Sequence, residues 1–343
     1  MRRASLPCLA LGLRLLLPGS AFAAPAAKPL EIYVIDVEGG QATLLVSPTK
    51  QSLLIDTGWP GFDGRDAKRI VAAAHDAGLS KLDYVLITHH HRDHVGGVPQ
   101  LAASIPVGTF VDHGPNLEDS DVTREDYAAY EKAIKGHAHL VLKPGDTLPL
   151  EGLGVEAVAG AGERIKAPLK GAGEANPYCA AEPAAPADAT ENSRSLGVIV
   201  TYGSFRFLDL GDLTKAREIE LACPANLLGH VDLYLATHHG TDGSNAKAIV
   251  WALHPRVAII DNGPHKGASP EAWQIVHDSP GLEDLWQLHY AADADPAHNV
   301  AADHIANPKE DCAGKYIKVL AAPDGSFVVA NTGNGLQKTY AKK

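Results

Sequence analysis

The chain has 343 residues, 45% of them hydrophobic, enough to bury a sizeable core in one large domain or two small ones. Aromatic residues are sparse at 6%, while Gly (33) and Pro (23) are plentiful, so many turns and short elements are expected and an all-helical bundle is not. The formal net charge of −11, with no Lys/Arg cluster to offset it locally, argues against a long polyanion such as duplex nucleic acid as partner.

At the start, Arg2 and Arg3 form a positive segment, Leu9 to Leu17 an apolar run interrupted by Arg14, and Ala21-Phe22-Ala23 a small-residue cleavage site. This pattern predicts a signal peptide over 1–23, a mature chain over 24–343 with a charge near −14, and export to the periplasm or medium. The apolar run is too short to span a bilayer, and no later stretch is long enough. The mature cysteines are Cys179, Cys223 and Cys312, so at most one internal pair can form. Export permits a Cys179–Cys223 bridge, and no C-x-x-C spacing points to a thiolate metal site.

Strands are predicted over 31–37, 42–46 and 52–56, a helix over 65–78 and a buried strand over 82–88. A short helix over 95–103, a strand over 107–112, a helix over 123–134 and strands around Pro144-Gly145 within 140–156 follow. Residues 159–190 are dominated by Ala, Gly and Pro and read as an irregular surface insertion. A hairpin over 196–210, a strand over 231–237, a helix over 245–253, a strand over 256–261 and a closing hairpin over 317–330 complete the pattern. Strands and helices alternate throughout, which predicts a layered α/β domain.

The densest chemical signal is Thr88-His89-His90-His91-Arg92-Asp93-His94, between a buried strand and a Gly96-Gly97 turn. Four potential ligands within six residues cannot face one way on a helix or strand. On a tight loop at a strand end they can splay around two cations, and imidazole with carboxylate suits Zn²⁺ and similar metals.

His89-x-His91-x-Asp93-His94 resembles the H-x-H-x-D-H signature of the metallo-β-lactamase fold superfamily. Leu53-Leu54-Ile55-Asp56-Thr57-Gly58, Leu208-Asp209-Leu210-Gly211-Asp212 and Thr237-His238-His239-Gly240 resemble its other motifs in the same order, so the likeness spans about residues 30 to 335. Asp36-Val37-x-Gly39-Gly40-Gln41, Asn192-Ser193-Arg194-Ser195 and His238-His239-Gly240 are most similar to the branch that contains the hydrolase domain of ComEC competence proteins. The resemblance implies a four-layer αββα sandwich with two divalent cations, Zn²⁺ or alternatively Mn²⁺. It implies His89 and His91 as ligands of the first, Asp93, His94 and His238 of the second, and Asp212 bridging both. Asp56 would orient a ligand histidine, and His239 would face the substrate as an acid or phosphate donor. On local chemistry alone Asp56 also suits a turn, and Asp212 a helix cap.

One departure bears on the first cation. The superfamily often carries a further His about two dozen residues before the bridging Asp, where this chain reads Glu191-Asn192-Ser193-Arg194. The first site is therefore expected to be weak or short of a ligand; His113 either fills the gap or is a turn histidine. Asn192 and Lys266, the latter in Asp261-Asn262-Gly263-Pro264-His265-Lys266-Gly267, are candidate substrate contacts, and His289 and His298 candidate rim residues. The implied activity is metal-dependent hydrolysis by a metal-activated hydroxide, of the phosphodiesterase or nuclease-like kind, on a small molecule or short nucleotide. The alternatives are lactone or amide hydrolysis, and a non-catalytic metal-containing binding protein.

Overall fold

The computed structural model describes residues 27–182 and 188–343; the expected signal peptide and part of the expected insertion lie outside them. The first half of the chain lays down β1 (Leu30–Val34), β2 (Thr43–Val46), β3 (Ser52–Ile55), α1 (Arg65–Asp76), β4 (Leu82–Leu86), α2 (Arg92–Val95), α3 (Val98–Ser104), β5 (Val107–Asp112), α4 (Asp121–Ile134) and β6 (Ala138–Val141). After a crossover come β7 (Gly154–Gly160), β8 (Glu163–Arg164), β9 (Gly197–Tyr202), β10 (Phe205–Asp209), α5 (Lys215–Ala222), β11 (Leu233–Leu235), α6 (Lys247–Leu253), β12 (Val257–Ile260), α7 (Pro270–His277), β13 (Asp284–His289) and β14 (Ile305–Asn307). The chain then returns to the first sheet with β15 (Ile317–Ala321), β16 (Phe327–Asn331) and β17 (Gln337–Tyr340).

Nine strands form one sheet in the order β17-β16-β15-β1-β2-β3-β4-β5-β6, and eight form the other in the order β14-β13-β12-β11-β10-β9-β7-β8. The period-2 alternation of β1 shows why they stack. Ile32 and Val34 face a core shared by both sheets, with Leu53, Val198, Phe207 and Ile259, while Tyr33 faces the helices. On that outer side α1, α3 and α4 contribute Ile70, Ala74, Leu101 and Tyr130. On the far side of the second sheet α5, α6 and α7 contribute Leu221, Ile249 and Trp273. Helices, two sheets and helices make four layers, the αββα sandwich expected. Each fully buried Leu, Ile or Val contributes about 1.5–3 kcal/mol before chain entropy is counted.

Several local expectations need correction. The strand pair expected around Pro144-Gly145 is split between the sheets: β6 ends the first and β7 enters the second. The helix expected over 95–103 is two, broken at Gly96-Gly97, where the Gly97 N–H turns to Gly58 O (3.0 Å) and a Cβ on Gly97 would lie 2.0 Å from the Thr57 carbonyl oxygen. The expected insertion begins as strand, through β8. Its later part is stitched to residues 223–229 by Leu169 N–H to Leu227 O (2.9 Å), Gly173 N–H to Asn226 O (2.8 Å) and a Cys179–Cys223 disulfide. His289 is buried rather than on a rim, with Nε2 2.7 Å from Asp36 Oδ1. The strands β10 to β13 run parallel, with α5, α6 and α7 as crossovers, so their carboxyl ends open on one edge of the sandwich.

Two predictions follow from packing. Glu218 on α5 is fully buried, accepts the Ala246 N–H at 2.8 Å, and burial pushes its carboxyl up to about 7. The folded state therefore favours the protonated form; that stability is present below the unfolded value near 4.5 and is lost as pH rises through 7. Glu218→Gln should gain on the parent by on the order of 2–3 kcal/mol between pH 5 and 8 in denaturant unfolding, and a difference constant with pH would reject this. Replacing Cys179 and Cys223 by Ala opens a 44-residue separation and should cost about 3–4 kcal/mol, measured by unfolding under non-reducing conditions.

Candidate metal centre

Three strand ends build the site. β4 stops at Leu86 and the chain turns through Thr88 to His91, which precedes α2. That turn is pinned by buried Asp56, whose Oδ1 accepts the Thr88 N–H (2.8 Å) and whose Oδ2 accepts the Thr88 hydroxyl (2.6 Å). Thr57 donates both its N–H and its hydroxyl to the His94 carbonyl at 2.8 Å. β10 stops at Asp209 and turns at Gly211, φ 55°, where a Cβ would meet Thr88 Cβ at 2.8 Å; Asp212 follows. β11 stops at Leu235, and His238 and His239 both take left-handed backbone, φ 56° and 54°. Active sites of layered α/β folds commonly sit at such carboxyl ends.

The distant segments converge. Donor atoms of Asp93, His94, Asp212 and His239 all lie within 4.8 Å of one another. Asp212 Oδ2 is 3.2 Å from His94 Nε2, 3.2 Å from His238 Nε2 and 3.8 Å from His89 Nε2. Asp93 Oδ2 is 3.4 Å from His94 Nε2 and 3.3 Å from His239 Nε2, and His239 Nε2 is 3.5 Å from Asp212 Oδ1. The His91 ring lies 4.7 Å from the His89 ring, centre to centre. Against the sequence expectation, His239 is the buried partner of Asp93, while His238 keeps 22% of its side chain exposed on the His89 side of Asp212. Left-handed backbone at both residues lets the adjacent imidazoles reach the same carboxylate from two directions.

Outer groups decide which ring nitrogen is free. His94 Nδ1 donates to Asp56 Oδ2 at 2.7 Å, leaving Nε2 for the centre. His91 Nε2 donates to Glu118 Oε2 at 2.9 Å, leaving Nδ1. His89 Nδ1 is 3.1 Å from the Thr88 hydroxyl, and His239 Nδ1 is 3.3 Å from Asp261 Oδ2. The atoms so freed, His89 Nε2, His94 Nε2 and His239 Nε2, are buried without a hydrogen-bond partner among the described residues, as is Asp212 Oδ1. Orphaned buried polar atoms are costly, and divalent cations would satisfy this whole set. Imidazole and carboxylate donors fit such cations, and the cluster is a candidate dimetal site. Charge agrees: burial alone would raise the Asp93 and Asp212 carboxyls, yet His94 and its neighbours hold both well below the usual range. Burial pulls His94 down, but Asp212, Asp93 and Asp56 together hold it well above its usual value.

The other sequence-named residues are scattered. Lys266 Nζ pairs with Asp93 Oδ2 and sits 5.1 Å from the Trp59 ring centre, about one-third exposed at the mouth. His113 lies away from the Asp93–Asp212 cluster, with Nε2 3.0 Å from Glu191 Oε2, which also meets His90 Nδ1 at 3.0 Å. These three form a second buried group of possible metal donors, already tied to one another. Asn192 has a buried Oδ1 with no partner among the described residues. Glu118 and Trp59 carry no motif in the sequence, and Asp261 enters there only as the first residue of the turn that holds Lys266. Lone acidic and aromatic residues carry no spacing signal, and only the strand-end position of Asp261 hinted at a role.

Comparison with known proteins agrees with this geometry. The family model for the metallo-beta-lactamase superfamily matches residues 35–241. A hydroxyacylglutathione hydrolase of Alkalilimnicola ehrlichii is 48% identical over 48 residues, 14% of this chain and 18% of that protein. One from Klebsiella pneumoniae is 38% identical over 80 residues, 23% and 31%. The chain thus spans less than a third of the length of these curated relatives. Among solved structures, CmlA, a diiron β-hydroxylase from Streptomyces venezuelae, is similar with a TM-score of 0.41 at 18% identity, covering 80% of this chain and 49% of that one. Zn²⁺-bound PqqB from Methylobacterium extorquens is similar with a TM-score of 0.34 at 16% identity, covering 57% and 58%. With a family model that covers more than half its length, the chain belongs to the metallo-β-lactamase superfamily.

Proposed function

We propose that this protein is a metal-dependent hydrolase, an exported phosphodiesterase of the ComEC-like branch, acting on a small molecule or short nucleotide rather than a duplex. The observation that carries the reading is Lys266, a cation at the mouth of the cluster whose Nζ rests on Asp93 beside Trp59. It is placed to take a negatively charged oxygen of the substrate. The net charge of −11 disfavours longer polyanions. Export is supported by the Arg2/Arg3 and apolar pattern and by the Cys179–Cys223 disulfide, which persists in oxidising compartments.

In this reading His89, His91 and His238 would hold one cation and Asp93, His94 and His239 the other, with Asp212 within reach of both sets. His238 thereby supplies the ligand missing near Glu191. Bound divalent cations supply Lewis-acid activation of water and stabilise negative charge as it develops. Asp56 and Glu118 keep protons on His94 Nδ1 and His91 Nε2, so that the opposite nitrogens present lone pairs. Lys266 Nζ donates a charge-assisted hydrogen bond to the substrate. An acyl reading, hydrolysis of a thioester, is favoured by the local likeness to hydroxyacylglutathione hydrolases.

Purified metal-loaded protein should turn over bis-p-nitrophenyl phosphate, with a loss of at least about 100-fold in Asp93→Ala and Asp212→Ala. Turnover of a hydroxyacyl-glutathione thioester or a lactone, with none of the phosphodiester, replaces the substrate assignment; stoichiometric metal with no turnover on any of them marks a binding protein. Lys266→Ala should raise KM for the anionic ester more than it lowers kcat, and an unchanged KM removes Lys266 from substrate binding. Glu118→Gln and Asp56→Asn should each weaken metal binding by about 10–100-fold in chelator competition. Wild-type affinity in both variants would show that the outer carboxylates do not orient the ligands.

A further inference from the structure

The parallel strands have a second polar end. Residues 204–206 open β10, 229–232 lead into β11 and 254–256 lead into β12, and together with residues 170–174 they line a cavity of about 570 Å³. The metal centre is at the carboxyl ends of β10 and β11, so the two sites are separated by the length of β10, more than about 10 Å.

Arg206 makes this cavity unusual. Nine arginines are among the described residues, and eight have a carboxylate within 4.0 Å; Arg206 alone does not. Its guanidinium donates from Nη1 to His230 O (2.6 Å) and from Nη2 to Leu228 O (2.7 Å). Two of its five N–H groups are thereby used, and none meets a countercharge. Burial depresses its pKa, and the more distant Asp232 and Glu156 carboxylates offset this only in part. Gly229, φ +75°, gives it room, since a Cβ there would lie 2.9 Å from Nη1.

The lining leaves little to neutralise it. Asp232 is engaged by the Arg206 backbone N–H at 3.0 Å and by Arg256 Nη1 at 3.3 Å. Lys170 has no carboxylate within 4.0 Å among the described residues, and the His230 and His254 rings face each other at 5.3 Å. Glu174 is the one lining side-chain carboxylate without a cation within 4.0 Å among the described residues, against Lys170 and Arg206. Cavities of about 300–1,000 Å³ accommodate small metabolites.

From this cavity we infer a second ligand site, remote from the metal centre, that binds a small oxyanion through the Arg206 guanidinium. The ligand class is a small molecule bearing a carboxylate or phosphate group, with the group against Arg206 and Lys170 and its remainder over His230 and His254.

The test is calorimetric titration of metal-loaded full-length protein with succinate and, separately, inorganic phosphate. One saturable site is expected for at least one of them, and the one that binds names the group recognised. Arg206→Met should weaken it at least tenfold, Lys170→Glu should weaken it several-fold, and Asp93→Ala, which disables the metal centre, should leave it intact. Should Arg206→Met fail to fold, judged by its melting transition, Lys170→Glu decides. Absence of saturable binding for both anions overturns the inference, as does binding that Asp93→Ala abolishes and Lys170→Glu leaves unchanged.

Discussion

The interaction on which the rest of the structure depends is the meeting of Asp212 with imidazoles from two other strand ends. Asp212 comes from β10, His89 and His94 from the turn after β4, and His238 and His239 from the turn after β11. Of these strands β4 lies in one sheet, and β10 and β11 lie in the other. The site is thus a seam, and neither sheet holds it alone. Burying Asp93, Asp212 and Asp56 together costs several kcal/mol per ion unless countercharge is supplied. His94, His239 and Lys266 supply part of it, and the buried atoms still lacking partners show that the balance is incomplete without cations.

That incompleteness is organised by a ring of outer carboxylates. Asp56, Glu118 and Asp261 come from three different loops, and each touches the far nitrogen of a different histidine. Because a carboxylate only accepts, Asp56 and Glu118, which are hydrogen-bonded to their histidines, fix where those ring protons sit. Glu118 is itself held by the Glu191 N–H at 2.8 Å and the Thr123 hydroxyl at 3.1 Å, so His91 is tied to the chain just past the insertion. Glu191 then binds His90 and His113 through its own carboxylate. The position where a further ligand histidine was sought therefore carries a residue that braces the histidine-rich turn from behind.

Much of this was legible in the sequence. Apolar and β-branched runs between turn residues marked β1 to β5, and the alternation of strand and helix marked the layers. The H-x-H-x-D-H spacing located the turn, because ligands packed so densely require a loop at a strand end. Asp212 and His238-His239 could be named from their strand-ending motifs. Three kinds of feature were not legible. Short amphipathic helices such as α5 and α7 and short strands such as β14 and β17 carry too few apolar positions to show a period. The split of β6 from β7 is a matter of tertiary pairing, which Pro144-Gly145 does not encode. The choice between His238 and His239 rests on two left-handed φ values that no local propensity requires of histidine.

The parallel strands β10, β11 and β12 also explain why an acidic protein can carry two anion-seeking sites without them merging. At the carboxyl edge the sheet gathers Asp209, Asp212 and Asp261, so cations are drawn in, and Lys266 is held there by Asp93. At the amino edge the carboxylates thin out. Asp232 is consumed by Arg256 and by a backbone N–H, and Arg206 is left facing only carbonyl oxygens. Between the two edges lie Phe207 and Leu208, fully buried in apolar cores on either face of the sheet. With no polar side chain bridging that stretch of β10, coupling between the edges would have to pass through strand displacement, and close-packed cores resist small displacements. The two sites are therefore expected to act as independent binders in one fold, each defined by the local balance of charge at its own end of the sheet.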